Sequence, residues 1–328
     1  MNHSPVAMIF EIGLNHMGDE LRALRMIDEL KAQGASHISL QIVTDVAAFT
    51  RNADTVAHLQ KYCLSLEQNL RAIRYAVEIG LIVGATVTDP QSVEPLQAAG
   101  VAFFKILSGD LTYIQLIVRA CATGLPVYLS TGAATVDEMA RTINFVRASV
   151  SAVDLRLIHT VLVVPTPPEL LNLNNISALS REFGLPVSYG QHSDIMEALD
   201  YAVAAGADSL FVYVAESKLP ELPDGPHAIE CVQAGEFLRK IRKVEQILGT
   251  EERIISEREY GARIVARRSI VALRRLETGQ IVTEEDITFK RPRSGLNPAD
   301  LTYILGKAAP HNFEVAQDVI VDEAGESD

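Results

Sequence analysis

The sequence predicts an α/β protein: a (β/α)₈ barrel followed by a small C-terminal module of short strands. Three observations predict it. Over the first 250 residues, short apolar, β-branched runs alternate with longer segments whose apolar residues recur at helical spacing. The alternation repeats eight times, which is the count of a closed barrel. After Gly249 the texture changes, first to a charged stretch and then to short alternating runs broken by turns.

Strands are expected over 7–12, 37–42, 81–87, 102–106, 126–130, 155–160, 186–189 and 209–214. The helices that follow them are expected over 19–33, 66–79, 91–99, 113–123, 136–148, 167–183, 195–205 and 227–248. Gly34, Gly80, Gly100, Gly124, Gly184 and Gly206 stand just beyond helix ends, where a left-handed residue closes the last turn. A doubly wound sheet is the rival architecture. It would more often use five or six strands, and no Gly-x-Gly-x-x-Gly follows any strand to mark a dinucleotide site. The barrel is placed at 1–250, a linker at 251–267 and the small module at 268–328, ending in an acidic, frayed tail at 322–328.

Composition narrows the function. Apolar residues make up 48% of the 328 and charged residues 22%, an ordinary globular balance. The net charge of −13 argues against nucleic acid or an anionic membrane as partner. An anionic small molecule stays possible, because a few local cations suffice. Cys63, Cys121 and Cys231 are odd in number and widely spaced, which fits a reducing compartment and neither a disulfide framework nor a thiolate zinc site. The start MNHSPVAMIFEIG lacks a basic leader, and no apolar run reaches membrane-spanning length, so a cytoplasmic location is expected.

Barrel enzymes work at the C-terminal ends of their strands. There the sequence places Glu11, Asn15 and His16 after strand 1, Gln41 on strand 2, and Thr86 and Thr88 on strand 3. Lys105, Ser108 and Asp110 follow on strand 4, then Ser130-Thr131-Gly132, His159, His192 and Tyr213. Any one of these could be a satisfied core polar group. A whole ring of them is costly in an apolar barrel unless a ligand uses it. Lys105, inside VAFFKIL, stands out. A buried lysine shifts its pKa or pairs with an anion, so it serves either as a Schiff-base amine or as a cation for a carboxylate or phosphate. The Ser and Gly of LSGD just after it favour anion cradling, and Ser130-Thr131-Gly132 could form a second cradle or simply cap a helix.

Together these motifs resemble the sialic acid synthase family, which includes legionaminate and pseudaminate synthases and spore-coat polysaccharide synthase E proteins. The matching stretches run in family order: FEIGLNHMGD, LQIV, ATVTDPQSV, FFKILSGDL, LSTGAAT, LIHT with PTP, LPVSYGQHS, ARRSIVA and ITFKRPRSG. The resemblance implies a (β/α)₈ barrel followed by an antifreeze-like (SAF) lid domain, in a domain-swapped homodimer where each lid covers the partner's barrel. It implies that phosphoenolpyruvate attacks the carbonyl carbon of an open-chain amino sugar, with Mn²⁺ or Mg²⁺ as Lewis acid. By position, Thr86, Lys105 and Ser108 would hold phosphoenolpyruvate. Glu11, Gln41 and Asp110 would face the reacting carbons, and Asn15, His16 and Arg291 the sugar, Arg291 reaching in from the small domain.

Four places depart from the family pattern. Its Lys-Phe-Gln on strand 2 is Ser39-Leu40-Gln41, which removes one phosphate-binding cation. An Asn and a Tyr before Pro-Thr-Pro are Leu162 and Val164. Ser-Asp-His on strand 7 is Gly190-Gln191-His192, and Glu-Lys-His on strand 8 is Phe211-Val212-Tyr213. Of the two metal histidines that the resemblance implies, His192 remains and Tyr213 replaces the other. A tyrosine would ligate only if ionised. These losses suit the pocket less to a polyhydroxylated sugar. They motivate a non-catalytic binding homologue as a rival to the synthase, and Lys105 itself keeps a Schiff-base aldolase open as a third reading.

Overall fold

The computed structural model describes residues 5–219 and 221–320. The apolar runs become eight parallel strands: β1 (Ala7–Gly13), β2 (His37–Ile42), β3 (Ile82–Val87), β4 (Phe103–Ile106), β5 (Val127–Ser130), β6 (Leu155–His159), β7 (Val187–Gly190) and β8 (Ser209–Ala215). Each pairs with the next, and β1 also pairs with β8, so the sheet closes into a barrel. The fold is a TIM barrel.

Alternation along each strand sorts the side chains into two cores. Met8, Phe10 and Ile12 face outward and pack with Met26, Ile27 and Leu30 of α1 (Glu20–Ala32). Ile9, Phe103, Tyr128, Ile158 and Phe211 face inward and fill the barrel with edge-to-face aromatic contacts. Gly84 on β3 is required here, since a Cβ at that position would lie 2.0 Å from the Phe103 ring. The inward residues one layer up are Glu11, Thr86, Lys105 and Tyr213, so the strands carry their polar residues to one end.

Several helices start where side-chain caps satisfy free N–H groups. After β2 come α2 (Val46–Phe49) and α3 (Ala53–Tyr62), capped by Asp45 and Asn52, before α4 (Leu66–Glu78) with its Ser65–Gln68 capping box. The α2–α3 insert was not expected from the sequence; its short apolar periods close a satellite core of Leu14, Val43, Leu59 and Tyr62. Next are α5 (Val93–Ala99), α6 (Ile114–Cys121) and α7 (Val136–Ser149), the last with a Thr135–Glu138 capping box. Three expected helices are shorter than their apolar pattern. The segment 167–183 becomes helical only at α8 (Asn175–Phe183), because Pro167 and Pro168 hold its start in a 3₁₀ turn. The expected 195–205 reduces to α9 (Ala198–Ala204). In 227–248 a short strand, β9 (Ile229–Glu230), first pairs beside β8, and α10 (Ala234–Leu248) starts after it.

The chain divides after Gly249 into two compact units, 1–249 and 250–328. The second opens with α11 (Glu257–Ala266), a helix where a linker was expected. Ser256 caps it, Glu257 and Glu259 sit in its first turn and Arg263 in its last, so end charges support it although it buries none of its residues. Beyond it, β10 (Ser269–Ala272) and β11 (Ile287–Lys290) pair antiparallel over a core that includes Ile270, Leu276, Val282, Ile304 and Phe313. The acidic tail at 322–328 lies outside the described residues. Among the described residues no helix is long and apolar enough to cross a membrane.

Candidate active site

A cavity of ≈ 390 Å³ opens at the C-terminal ends of the strands, where barrel chemistry sits. Glu11, Lys105, Ser108, Asp110, His192 and Tyr213 line it. Its apolar wall comes from Phe49, Leu107, Ile158 and Leu162.

Glu11 is the hub. A register shift between Glu11 and Gly13 kinks the end of β1. Gly13 has φ +56°, and a Cβ there would come within 2.5 Å of the Asp224 carboxylate, so glycine is needed where β1 turns into its loop. The Glu11 carboxylate is 1% exposed and forms an ion pair with Lys105, which is 5% exposed. Thr86 donates its hydroxyl to the same carboxylate at 3.3 Å. The Lys105 ammonium also stands over the Phe211 and Tyr213 rings, 5.2 and 5.6 Å from their centroids.

Above this layer, Ser108 accepts the Gly132 N–H at 3.0 Å and ties the Leu-Ser-Gly-Asp turn to the Ser130-Thr131-Gly132 turn. The helix cap of that second turn is Thr135, not the Ser-Thr-Gly itself. One carboxylate oxygen of Asp110 is buried with no hydrogen-bond partner, and burial raises its pKa. A carboxylate left orphaned on a cavity wall is positioned to meet a ligand donor or to take up a proton.

Other expected residues have the following surroundings. Asn15 donates to the Val214 carbonyl at 2.8 Å and accepts the Asp224 N–H at 3.0 Å, so it staples the β1 loop to the end of β8. His16 is 2% exposed and its Nδ1 accepts the Gly18 N–H at 3.1 Å; burial lowers its pKa to about 4. His159 is spent on the Leu171 carbonyl at 2.8 Å. Gln41 pairs in register with Thr86 but is not among the cavity-lining residues. Arg291 is exposed and follows β11 in the second unit. Ser39 pairs with Glu11 across β1 and β2, fully buried, with its hydroxyl unpartnered.

The far wall joins His192 and Tyr213, both expected there, to His227, which the sequence did not reveal. His192, Tyr213 and His227 meet ring to ring, with centroids 5.8 Å apart for His192–Tyr213, 5.3 Å for His192–His227 and 4.8 Å for Tyr213–His227. Burial pushes the Tyr213 phenol well above its ordinary pKa, and the Glu11 and Asp224 carboxylates add to this, so it stays protonated. Burial also raises Asp224, to about 6. Nothing in a strand pattern points to His227 or Asp224, which lie in the long loop between β8 and β9.

With this geometry in hand, comparison with known proteins is direct. Residues 26–253 match the NeuB family, and residues 267–315 match the SAF domain. The chain belongs to the NeuB family. An uncharacterised protein of Methanocaldococcus jannaschii is 33% identical over 94% of this chain and 92% of its own length. The N,N'-diacetyllegionaminic acid synthase of Campylobacter jejuni is 26% identical over 94% of this chain and 96% of its own. The solved N-acetylneuraminic acid synthetase of Leptospira borgpetersenii superposes with a TM-score of 0.75 at 26% identity, covering 79% of this chain and 90% of that one. A spore coat polysaccharide biosynthesis protein E from Chromobacterium violaceum shares the fold, with a TM-score of 0.83 over 97% of this chain and 98% of its own at 23% identity. The chain therefore falls among sugar-acid synthases and their homologues, as the sequence motifs suggested.

Proposed function

We propose that this chain is a phosphoenolpyruvate-condensing synthase that acts on an aldehyde sugar or related aldehyde for surface polysaccharide, in the cytoplasm. The observation that carries this reading is the buried Glu11–Lys105 pair, with Thr86 beneath it and Ser108 and Asp110 at the cavity mouth. Lys105 is the cation that meets the phosphoenolpyruvate carboxylate or phosphate, assisted by Thr86 and the Ser108 hydroxyl. Glu11 and Asp110 face the reacting carbons. Carbon 3 of the enol attacks the aldehyde carbon, and water adds at carbon 2. The bond between carbon 2 and the bridging oxygen then breaks, releasing inorganic phosphate and a 2-keto sugar acid. Asp110, with its raised pKa and an unpartnered oxygen, is suited to moving the proton to or from the acceptor oxygen.

Charge bears on the cofactor. The lining carboxylates Glu11 and Asp110 outnumber the lining cation Lys105, and phosphoenolpyruvate would add further negative charge. A divalent metal would offset this and, when bound, would supply Lewis-acid polarisation of the aldehyde. His192 is suited to hold it, since its Nδ1 donates to the Val161 carbonyl at 2.7 Å and leaves Nε2 with a free lone pair. The protonated Tyr213 is not a ligand.

Leu162, half-exposed on the cavity rim, and the Phe49 and Leu107 walls favour an acceptor with fewer hydroxyls or an apolar substituent. The Schiff-base reading is disfavoured, because that chemistry needs a neutral amine and Lys105 is ion-paired to a buried carboxylate. Binding without catalysis is the rival that the Ser39 and Leu162 departures favour. Phosphate release measured with phosphoenolpyruvate, Mn²⁺ and a panel of aldehyde sugars separates the two. Release that needs both substrates supports the synthase, and none across the panel overturns it. The antifreeze-like unit, with Arg291, acts as a lid in a swapped homodimer. Truncation after Gly249 should then weaken acceptor binding and spare phosphoenolpyruvate binding.

A further inference from the structure

We propose that His227, from the loop beyond β8, joins His192 as the second protein ligand of a divalent metal, taking the role that Tyr213 cannot fill. This rests on the synthase reading above and deepens it. His227 is 2% exposed, and both of its ring nitrogens are buried without a hydrogen-bond partner. A neutral imidazole has one lone pair, and an ion would give that orphaned acceptor its partner. The ring is packed against the two side chains, His192 and Tyr213, that line this side of the cavity.

The separation fits a shared ion. A metal–nitrogen bond of about 2.1 Å puts each ring centroid about 3.2 Å from the metal, and two such ligands at about 109° have centroids about 5.2 Å apart. The observed His192–His227 distance is 5.3 Å. Among the described residues no group of three or more His, Cys, Asp or Glu side chains could hold an ion, so the remaining positions fall to water and substrate oxygens. An open coordination sphere of this kind is what a catalytic rather than structural ion needs.

The test is Co²⁺ binding to the chelator-stripped full chain, followed by visible absorption and calorimetry. Wild type should take up one ion. His192→Gln and His227→Gln should each weaken binding tenfold or more, while His37→Gln, at the opposite end of the barrel, should not. Electron spin echo modulation of the Cu²⁺-loaded wild type needs no variant, and should count two coordinated imidazoles. One imidazole, unchanged affinity in His227→Gln, or no uptake would overturn the site. Full condensing activity in the stripped enzyme would overturn the site and leave the synthase reading intact. An ion held by two imidazoles without any turnover would uphold the site and sink that reading.

Discussion

Replacing Lys105 with methionine tests the hub of the cavity through stability alone. The substitution keeps the length and apolar stem of the side chain but removes the ammonium. Glu11, 1% exposed, would then be left buried with only the 3.3 Å hydroxyl of Thr86 as partner. Breaking a buried ion pair on one side costs about 3–5 kcal/mol, against about 0–1 for an exposed pair. For a barrel of this size that corresponds to a drop in Tm on the order of 6–15 °C. Glu11→Gln should be destabilising for the mirrored reason, since it strands the lysine. The double variant Glu11→Gln/Lys105→Met should recover about 2 kcal/mol or more relative to the sum of the singles, because no unpaired charge remains. Urea unfolding followed by circular dichroism, in all four corners of the cycle, measures this. Additive singles, or a Lys105→Met cost under about 1 kcal/mol, would refute the reading of a buried, mutually dependent pair.

Further expectations follow from single positions. Gly84→Ala should destabilise by several kcal/mol, since its methyl would overlap the Phe103 ring and neither has room to move; a change within about 0.5 kcal/mol in urea unfolding would contradict this packing. His16 carries its folded pKa at about 4 against 6.5 unfolded, so the unfolded chain takes the proton first as pH falls. That contribution, roughly 3 kcal/mol, is fully present above pH 6.5 and is lost toward about pH 4. Unfolding curves of His16→Asn should therefore be flatter in this window than wild type, and parallel curves would contradict it. Leu162→Asn should raise kcat/KM for N-acylmannosamines relative to less hydroxylated aldehydes; an unchanged ratio would remove Leu162 from acceptor selection. Asp110→Asn should lower kcat by about 10²-fold or more with little change in phosphoenolpyruvate affinity, and an unaltered rate would exclude it from proton transfer.

Much of the barrel was legible because its periodicities are local. Strands buried on both faces read as continuous apolar runs, and six glycines just beyond helix ends mark the repeats. The polar residues that converge were also legible as polar interruptions at strand ends: Glu11, Thr86, Lys105, Ser108 and Asp110. Elements held by tertiary contact were harder to read. The α2–α3 insert is short and shows its purpose only against Leu14 and Val43. The α11 helix buries nothing, so its segment carries charge rather than an apolar stripe. Asn15, expected at the sugar, also bonds the Val214 carbonyl, a distant backbone group whose proximity no local pattern encodes. His227 was hidden for a related reason. It was taken as the first residue of a helix, whereas β9 intervenes, and the loop beyond β8 turns its ring toward His192.

The most direct measurement supplies phosphoenolpyruvate labelled at its bridging oxygen, with Mn²⁺ and the aldehyde panel, and follows both products by mass spectrometry. A condensing synthase of this kind yields the acceptor extended by a pyruvyl unit, with the label carried off in inorganic phosphate. Absence of any extended product, or label retained in the keto acid, would contradict the proposed reaction.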